Sequence, residues 1–213
     1  AISNLTDEAL SKGVLAYSSG NHAQGIAAVA KTFGSPAIIV MPSDAPKSKI
    51  ENTKALGAEV ILYDRRNEQR EIIGAKIAKN RDLTLIKPYD NNDVIAGQGT
   101  LGLELGEQLS KCSVRNADVL VCCGGGGLSA GIAIALNDIA PNLKVRTCEP
   151  KNFDDTARSL ITGNREENES LSGSICDAIL TPTPGEITFP ILKKLAGPGL
   201  VVSDEQVLHA IAQ

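Results

Sequence analysis

The segment Val119-Leu120-Val121-Cys122-Cys123-Gly124-Gly125-Gly126-Gly127-Leu128-Ser129-Ala130-Gly131-Ile132-Ala133 restricts the possible folds more than any other part of the chain. An apolar β-branched run stops at four consecutive glycines and resumes as an Ala/Ile/Leu run with helical character. This reads as strand, tight loop and helix N-terminus. Glycine has no Cβ, so four in a row let main-chain N–H groups converge on one point, and the helix end adds partial positive charge there. Such a cradle suits an anion, most naturally a phosphate. The competing reading is a close-packed turn without a ligand, although each ordered glycine costs about 0.5–1 kcal/mol of conformational entropy.

The same strand, loop and helix pattern recurs upstream. After an opening helical stretch, Gly13 precedes the apolar run Val14 to Tyr17, then the polar loop Ser18-Ser19-Gly20-Asn21-His22. Ile26, Val29, Ala30 and Phe33 follow at helical spacing and define an expected buried face, closed by Gly34. Ala37 to Met41 reads as the next strand, and Asp44 with Pro46 as the start of a helix to Leu56. Val60 to Tyr63 and Leu83 to Ile86 are expected strands flanking a helix from Asn67 to Lys79. Strands alternating with helices of this length imply an α/β fold with parallel sheets and right-handed crossovers.

A polar turn at Pro88 to Asn92 marks the expected domain boundary, followed by a glycine-dotted helix from Val94 to about Leu109. Beyond the glycine segment, Lys144 to Cys148 reads as a strand ending at Glu149-Pro150, and Asn164 to Ser172 as an acidic surface loop. Gly199 to Val202 is the last expected strand. Ser203 and Gln206 then form a capping box for a final helix.

With 213 residues and 42% hydrophobic content, the chain can bury a sizeable core. Its net charge of −4 provides no basic field for nucleic acid or an anionic membrane surface. No apolar run reaches the roughly 20 residues needed to cross a bilayer. A cytoplasmic setting is the expectation. The five cysteines lack paired metal-ligand spacing, and adjacent Cys122 and Cys123 are read as small core residues of a buried strand. The chain opens at Ala1 within helical pattern and stops at Gln213 just after the capping box, which reads as a fragment.

Two loops are placed for chemistry, because parallel α/β sheets put ligands outside the carboxyl ends of their strands. Ser18 to His22 presents hydroxyls, an amide and an imidazole at a helix start, suited to a carboxylate or to a proton donor. Its structural alternative is plain capping by Ser19 or Asn21. Gly125-x-Gly127-x-x-Ala130, with Glu149 about 20 residues further on, also fits the dinucleotide fingerprint of an NAD-dependent oxidoreductase. That reading leaves the serine loop unexplained.

Taken together, Ser18-Ser19-Gly20-Asn21-His22-Ala23-Gln24-Gly25, Met41-Pro42 with Ala45-Pro46-Lys47, Gly57-Ala58-Glu59-Val60, Ile95-Ala96-Gly97-Gln98-Gly99-Thr100 and Gly124 to Leu128 resemble the serine/threonine dehydratase and serine racemase family of fold-type II pyridoxal-phosphate enzymes. The resemblance implies two open parallel-sheet domains of the tryptophan synthase β-like kind. Residues 12–91 would form the small domain, and 1–11 with 92–213 parts of an incomplete large one. It implies that Gly124, Gly125, Gly126, Gly127 and Leu128 hold the phosphate of pyridoxal 5′-phosphate and that Asn21 bonds the cofactor's 3′-oxygen. Ser18, Ser19 and His22 would bind substrate, with Ser19 also catalytic through exchange of the α-proton. Members also bind a divalent cation, and Glu149, the Phe153 carbonyl and Asp155 match that arrangement; three hard oxygen donors suit Mg²⁺ or Ca²⁺. Alternatively, Asp154 and Asp155 cap a helix starting at Thr156.

Two parts of the family pattern do not occur within the chain: the Phe-Lys-x-Arg-Gly-Ala-like segment carrying the catalytic lysine, and the Ser-Gly-Gly stretch facing the pyridine nitrogen. Lys47, Lys49, Lys54 and Lys87 are read as structural or solvated, not as substitutes. Ala178 stands where many members have glycine near the ring. The resemblance therefore implies β-elimination of L-threonine or L-serine to a 2-oxo acid and ammonia in the intact parent, a homodimer or homotetramer, with the 213 residues alone inactive. Racemisation or hydroxyaspartate dehydration is the nearest rival, and a non-catalytic remnant a further one. Pro88-Tyr89-Asp90 is closer to bacterial threonine dehydratases than to racemases.

Overall fold

The structure, a computed structural model, describes all 213 residues as two compact units, Ala1–Pro88 and Tyr89–Gln213. In the first unit, β1 (Val14–Tyr17), β2 (Ala37–Pro42), β3 (Glu59–Tyr63) and β4 (Thr84–Leu85) form a parallel sheet in the order β3-β2-β1-β4. The two central strands are buried at every position, and both are unbroken apolar runs except for the closing Tyr17 and Pro42. Such runs belong to strands covered on both faces. Register is set by pairs such as Leu15 with Ile38 and Ile39 with Val60.

Helices α1 (Asp7–Lys12), α2 (Asn21–Thr32), α3 (Lys47–Ala55) and α4 (Arg70–Arg81) make the other layers of this unit. The buried face of α2 is Ala23, Ile26, Ala27 and Ala30, one step round from the face expected from the sequence. Val29 and Phe33 are 41% and 46% exposed, because three alanines let the helix axis sit close to the sheet and turn the larger residues outward. Helix α3 starts without a side-chain cap, since Asp44 pairs instead with Arg65 at 2.8 Å. Helix α4 begins three residues later than expected. Asp64 accepts from Arg66 N and Asn67 Nδ2, and Glu68 accepts from Asp64 N, so this stretch is a turn. Residues 1–11 pack with this first unit, where Ser35 Oγ donates to Leu10 O at 2.7 Å.

The second unit has a three-stranded parallel sheet in the order β5-β6-β7, from β5 (Ala117–Cys122), β6 (Leu143–Pro150) and β7 (Leu200–Val202). Helix α6 (Gly127–Ile139) lies against it, burying Ile132, Ala133 and Leu136 on Val121, Leu143 and Val145. Helix α5 (Asn92–Lys111) crosses α6 where Gly99 meets Gly131. A Cβ on Gly131 would stand 2.7 Å from Gly99 N, so the two helices meet backbone to backbone at this point. Helices α7 (Asp155–Thr162), α8 (Thr188–Leu195) and α9 (Asp204–Ile211) complete the unit, the last with both hydrogen bonds of the expected capping box.

Cysteine placement corrects the sequence reading. Cys123 is buried, but Cys122 is exposed, as is Leu120 on the same face of β5. Alternate residues of that edge strand point away from α6, and no helix of the chain covers them. No helix is long and apolar enough to cross a membrane.

Candidate active site

The glycine segment folds as expected: β5 ends, Gly124 to Gly126 turn the chain, and α6 begins at Gly127. Gly126 is the helix cap with φ +90° and ψ 0°, a left-handed conformation that favours glycine. It contributes no side-chain cap, and the first main-chain bond into the turn is Ala130 N to Gly126 O at 2.8 Å. The N–H groups of Gly127, Leu128 and Ser129 are therefore undonated and converge at the positive end of a 13-residue helix.

The opposite side of the loop is walled by protein. A Cβ on Gly124 would lie 3.2 Å from Thr181 Cγ2, on Gly126 2.9 Å from Thr188 Oγ1, and on Gly127 2.9 Å from Tyr89 Cβ. On Gly125 it would run into the Tyr89 ring. The Gly125 carbonyl accepts from Thr188 Oγ1 at 2.6 Å and from Gly185 N at 3.2 Å, while Asp90 Oδ1 accepts from Ile187 N at 2.7 Å. The loop is close-packed on its Cβ side, and its first-turn N–H groups donate to no protein acceptor. A phosphate dianion fits that donor set. Sequence reasoning missed Tyr89, Thr188 and Gly185, because nothing local marks partners 36 to 63 positions from Gly125. The usable signal was the run of glycines itself, which implies that something bulky comes close.

In the first unit, the Ser18 to His22 loop leaves β1 at its carboxyl end and leads into α2. Gly20, not Ser19 or Asn21, occupies the cap position, and no side chain caps the helix. The N–H groups of Asn21, His22 and Ala23 consequently stay undonated, Gln24 N to Gly20 O being the first bond of the turn. Ser18 Oγ accepts from Gly20 N at 3.2 Å and keeps its own proton to donate; Asn21 is exposed and Ser19 half-buried.

His22 Nε2 lies 3.2 Å from the Ile86 carbonyl. A carbonyl only accepts, so Nε2 carries the proton. Burial, with the Arg70 charge adding to it and the Ile86 bond opposing, holds the imidazole below its ordinary pKa and keeps it neutral. Its single N–H is thus committed to Ile86. What His22 has left for an anion is its main-chain N–H.

Glu149, at the end of β6, is completely buried. Its two oxygens accept from Thr156 N at 2.9 Å and Ala157 N at 2.8 Å, so a glutamate from the neighbouring strand caps α7. This replaces the expected capping by Asp154 and Asp155; Asp154 makes no side-chain cap bond and lies 3.8 Å from Arg158. Being completely buried, Glu149 presents no surface to a ribose, as the dinucleotide reading requires, while each of its oxygens keeps a lone pair for a small cation. Asp155 Oδ1 accepts from Asn168 Nδ2 at 2.6 Å, and its Oδ2 is buried without a partner. Burial raises the pKa of both carboxyls, and for Glu149 the Asp155 charge adds to it. No group of three His, Cys, Asp or Glu side chains is assembled, so a cation here would need the Phe153 carbonyl besides these two carboxylates. The orphaned Oδ2 and the mutual repulsion fit a hard divalent ion at this point.

Lys47, Lys54 and Lys87 are exposed and Lys49 half-buried. Ala178 lies in the 3₁₀ turn Asp177–Ile179, whose Ile179 Cα would be 3.3 Å from a Cβ on Gly124, so this turn borders the glycine loop.

Comparison with known proteins agrees with this geometry. The profile described as "Pyridoxal-phosphate dependent enzyme" matches residues 1–213. Serine racemase of Schizosaccharomyces pombe is 40% identical over 211 residues, covering 99% of this chain and 64% of the relative. L-threo-3-hydroxyaspartate ammonia-lyase of Saccharomyces cerevisiae is 41% identical over 216 residues, covering 100% and 65%. Among solved structures, the T.th. threonine deaminase superimposes with a TM-score of 0.88 at 41% identity, over 97% of this chain and 66% of that one. The chain thus spans about two thirds of the length of these relatives.

Proposed function

This chain belongs to the pyridoxal-phosphate dependent enzyme family, and on that premise we propose that the whole protein carries out β-elimination on L-threonine or L-serine. The α-proton and β-hydroxyl are lost as water, and hydrolysis then yields a 2-oxo acid and ammonia. The observation that carries the reading is the run of undonated N–H groups at the start of α6, at the end of four glycines whose Cβ side is filled by protein. The relatives named for serine, threonine and hydroxyaspartate chemistry support small hydroxy-amino acids as the substrate class.

Bound pyridoxal phosphate supplies the electron-withdrawing ring that accepts the electron pair left at the α-carbon. The chain's own residues bind and orient. Main-chain N–H groups from Gly124 to Leu128 hold the phosphate, and the Asn21 amide donates to the 3′-oxygen. The first-turn N–H groups of α2 and the Ser18 and Ser19 hydroxyls take the substrate carboxylate, His22 contributing its main-chain N–H because its ring proton belongs to Ile86. In this proposal the Ser19 hydroxyl would exchange a proton with the α-carbon, as the family resemblance implies. Glu149, the Phe153 carbonyl and Asp155 hold Mg²⁺ or Ca²⁺, which neutralises two buried carboxylates at the start of α7.

The test is an assay of the purified full-length protein, loaded with pyridoxal phosphate, against L-threonine, L-serine and L-threo-3-hydroxyaspartate. The expected outcome is stoichiometric 2-oxo acid and ammonia from at least one of them; absence of saturable cofactor binding, or of ammonia from all three, overturns the proposal. Racemisation is the second reading, supported by Ser19 and the serine racemase relative. Chiral chromatography of recovered serine decides between the two.

A further inference from the structure

We infer that Thr188 is a positioning residue that sets the direction of the Gly126 N–H and so completes the anion cradle. The inference rests on the cofactor reading above. In a trans peptide the carbonyl of one residue and the N–H of the next lie in one plane and point in opposite directions. The Gly125 carbonyl is held by the buried Thr188 hydroxyl at 2.6 Å and by Gly185 N at 3.2 Å. The Gly126 N–H therefore points away from the Thr188 hydroxyl, and it donates to no main-chain acceptor.

A glycine–glycine peptide needs such a lock. Gly125 and Gly126 both lack Cβ, so the plane between them rotates with little steric resistance, and the alternative orientation would turn a carbonyl oxygen toward the anion. Thr188 excludes that orientation by giving the carbonyl a short, dry hydrogen bond that water would otherwise have to replace. The lock is itself braced. Asp90 Oδ1 accepts from Ile187 N at 2.7 Å, immediately before Thr188, and a Cβ on Gly185 would stand 2.7 Å from Thr188 Oγ1, so the hydroxyl has little room to turn elsewhere. Thr188 touches no anion; it acts through the peptide it holds.

The experiment compares Thr188→Val, which keeps the shape and removes the donor, with Thr188→Ser, which keeps the donor, in the full-length holoprotein. Affinities are measured for pyridoxal phosphate and for pyridoxal, which lacks the phosphate, and the ³¹P resonance of the bound cofactor is recorded. Thr188→Val is expected to weaken pyridoxal phosphate binding roughly ten-fold or more, to shift the ³¹P resonance, and to leave pyridoxal affinity unchanged. Thr188→Ser should restore both. A second variant, Thr188→Ala, repeats the loss of the donor without a β-branched methyl if the valine protein does not fold. Wild-type values in the valine or alanine variant, equal weakening toward pyridoxal, or failure of serine to rescue would each overturn the inference. Failure of the wild-type protein to bind pyridoxal phosphate would instead overturn the cofactor reading.

Discussion

Alanine at Gly126 tests the cradle where it is tightest. The substitution keeps the left-handed backbone at φ +90° only at a cost of about 1–2 kcal/mol for an L side chain. Its Cβ would also stand 2.9 Å from Thr188 Oγ1 and 3.1 Å from Leu192 Cδ1, both from fully buried residues with no space to retreat into. Overpacking of that kind costs about 1–3 kcal/mol, so the expected loss is about 2–5 kcal/mol in all. The matched control is Gly97→Ala, in the middle of α5, exposed and with nothing within 4 Å of the new Cβ. There the same chemical change removes a poor helix former and should stabilise by up to about 1 kcal/mol. Urea unfolding of the two variants and the parent gives the signs directly, and titration with pyridoxal phosphate gives the effect on the cradle. If Gly126→Ala unfolds within about 0.5 kcal/mol of the parent and binds the cofactor equally, the loop is not packed as described. If Gly97→Ala destabilises as much as Gly126→Ala, the effect is one of helix content and not of the loop.

Three further outcomes are expected. His22 is held below its ordinary 6.5 by burial, so on acidification the unfolded chain takes up a proton that the fold refuses; stability should fall as pH drops through that value. His22→Gln, which keeps a donor for Ile86, should flatten that slope in urea melts, and an unchanged slope would place the titrating group elsewhere. Glu149 and Asp155 act in the opposite sense: their pKa values are raised from 4.5 and 3.8, so the stability gained from their bound protons is full at low pH and lost as pH rises through the folded values. Asp155→Asn should make that alkaline loss shallower, and Mg²⁺ should stabilise the parent but not the variant; equal Mg²⁺ response in both would remove Asp155 from the cation site. Exposed Cys112 and Cys122 should react with a thiol reagent in the native protein, while Cys123, pushed up to about 12 chiefly by burial, should react only on unfolding. Rapid native labelling of Cys123 would contradict its packing beside Thr156.

Several site residues behave differently from what their sequence context suggests. Asp154 and Asp155 have the composition of a helix cap, yet the cap of α7 comes from Glu149, because a carboxylate on the adjacent strand end reaches two N–H groups that neither aspartate side chain reaches. His22 sits in a motif suggesting an anion ligand, but its ring proton is committed to Ile86, 64 positions away. Val29 and Phe33 have the right spacing to be core residues, and the neighbouring alanines displace them by packing closer.

From the order of residues alone came the alternation of strands and helices, the glycine loop ahead of a helix and the final capping box, all of which depend on neighbours within a few positions along the chain. Tertiary structure alone decided which side of the glycine loop stays free. That choice is made by Tyr89, Thr181, Gly185 and Thr188, which arrive from 36 to 63 residues away to fill the Cβ side and bind the Gly125 carbonyl. Steric exclusion and a buried hydrogen bond then orient donors whose direction no local propensity encodes.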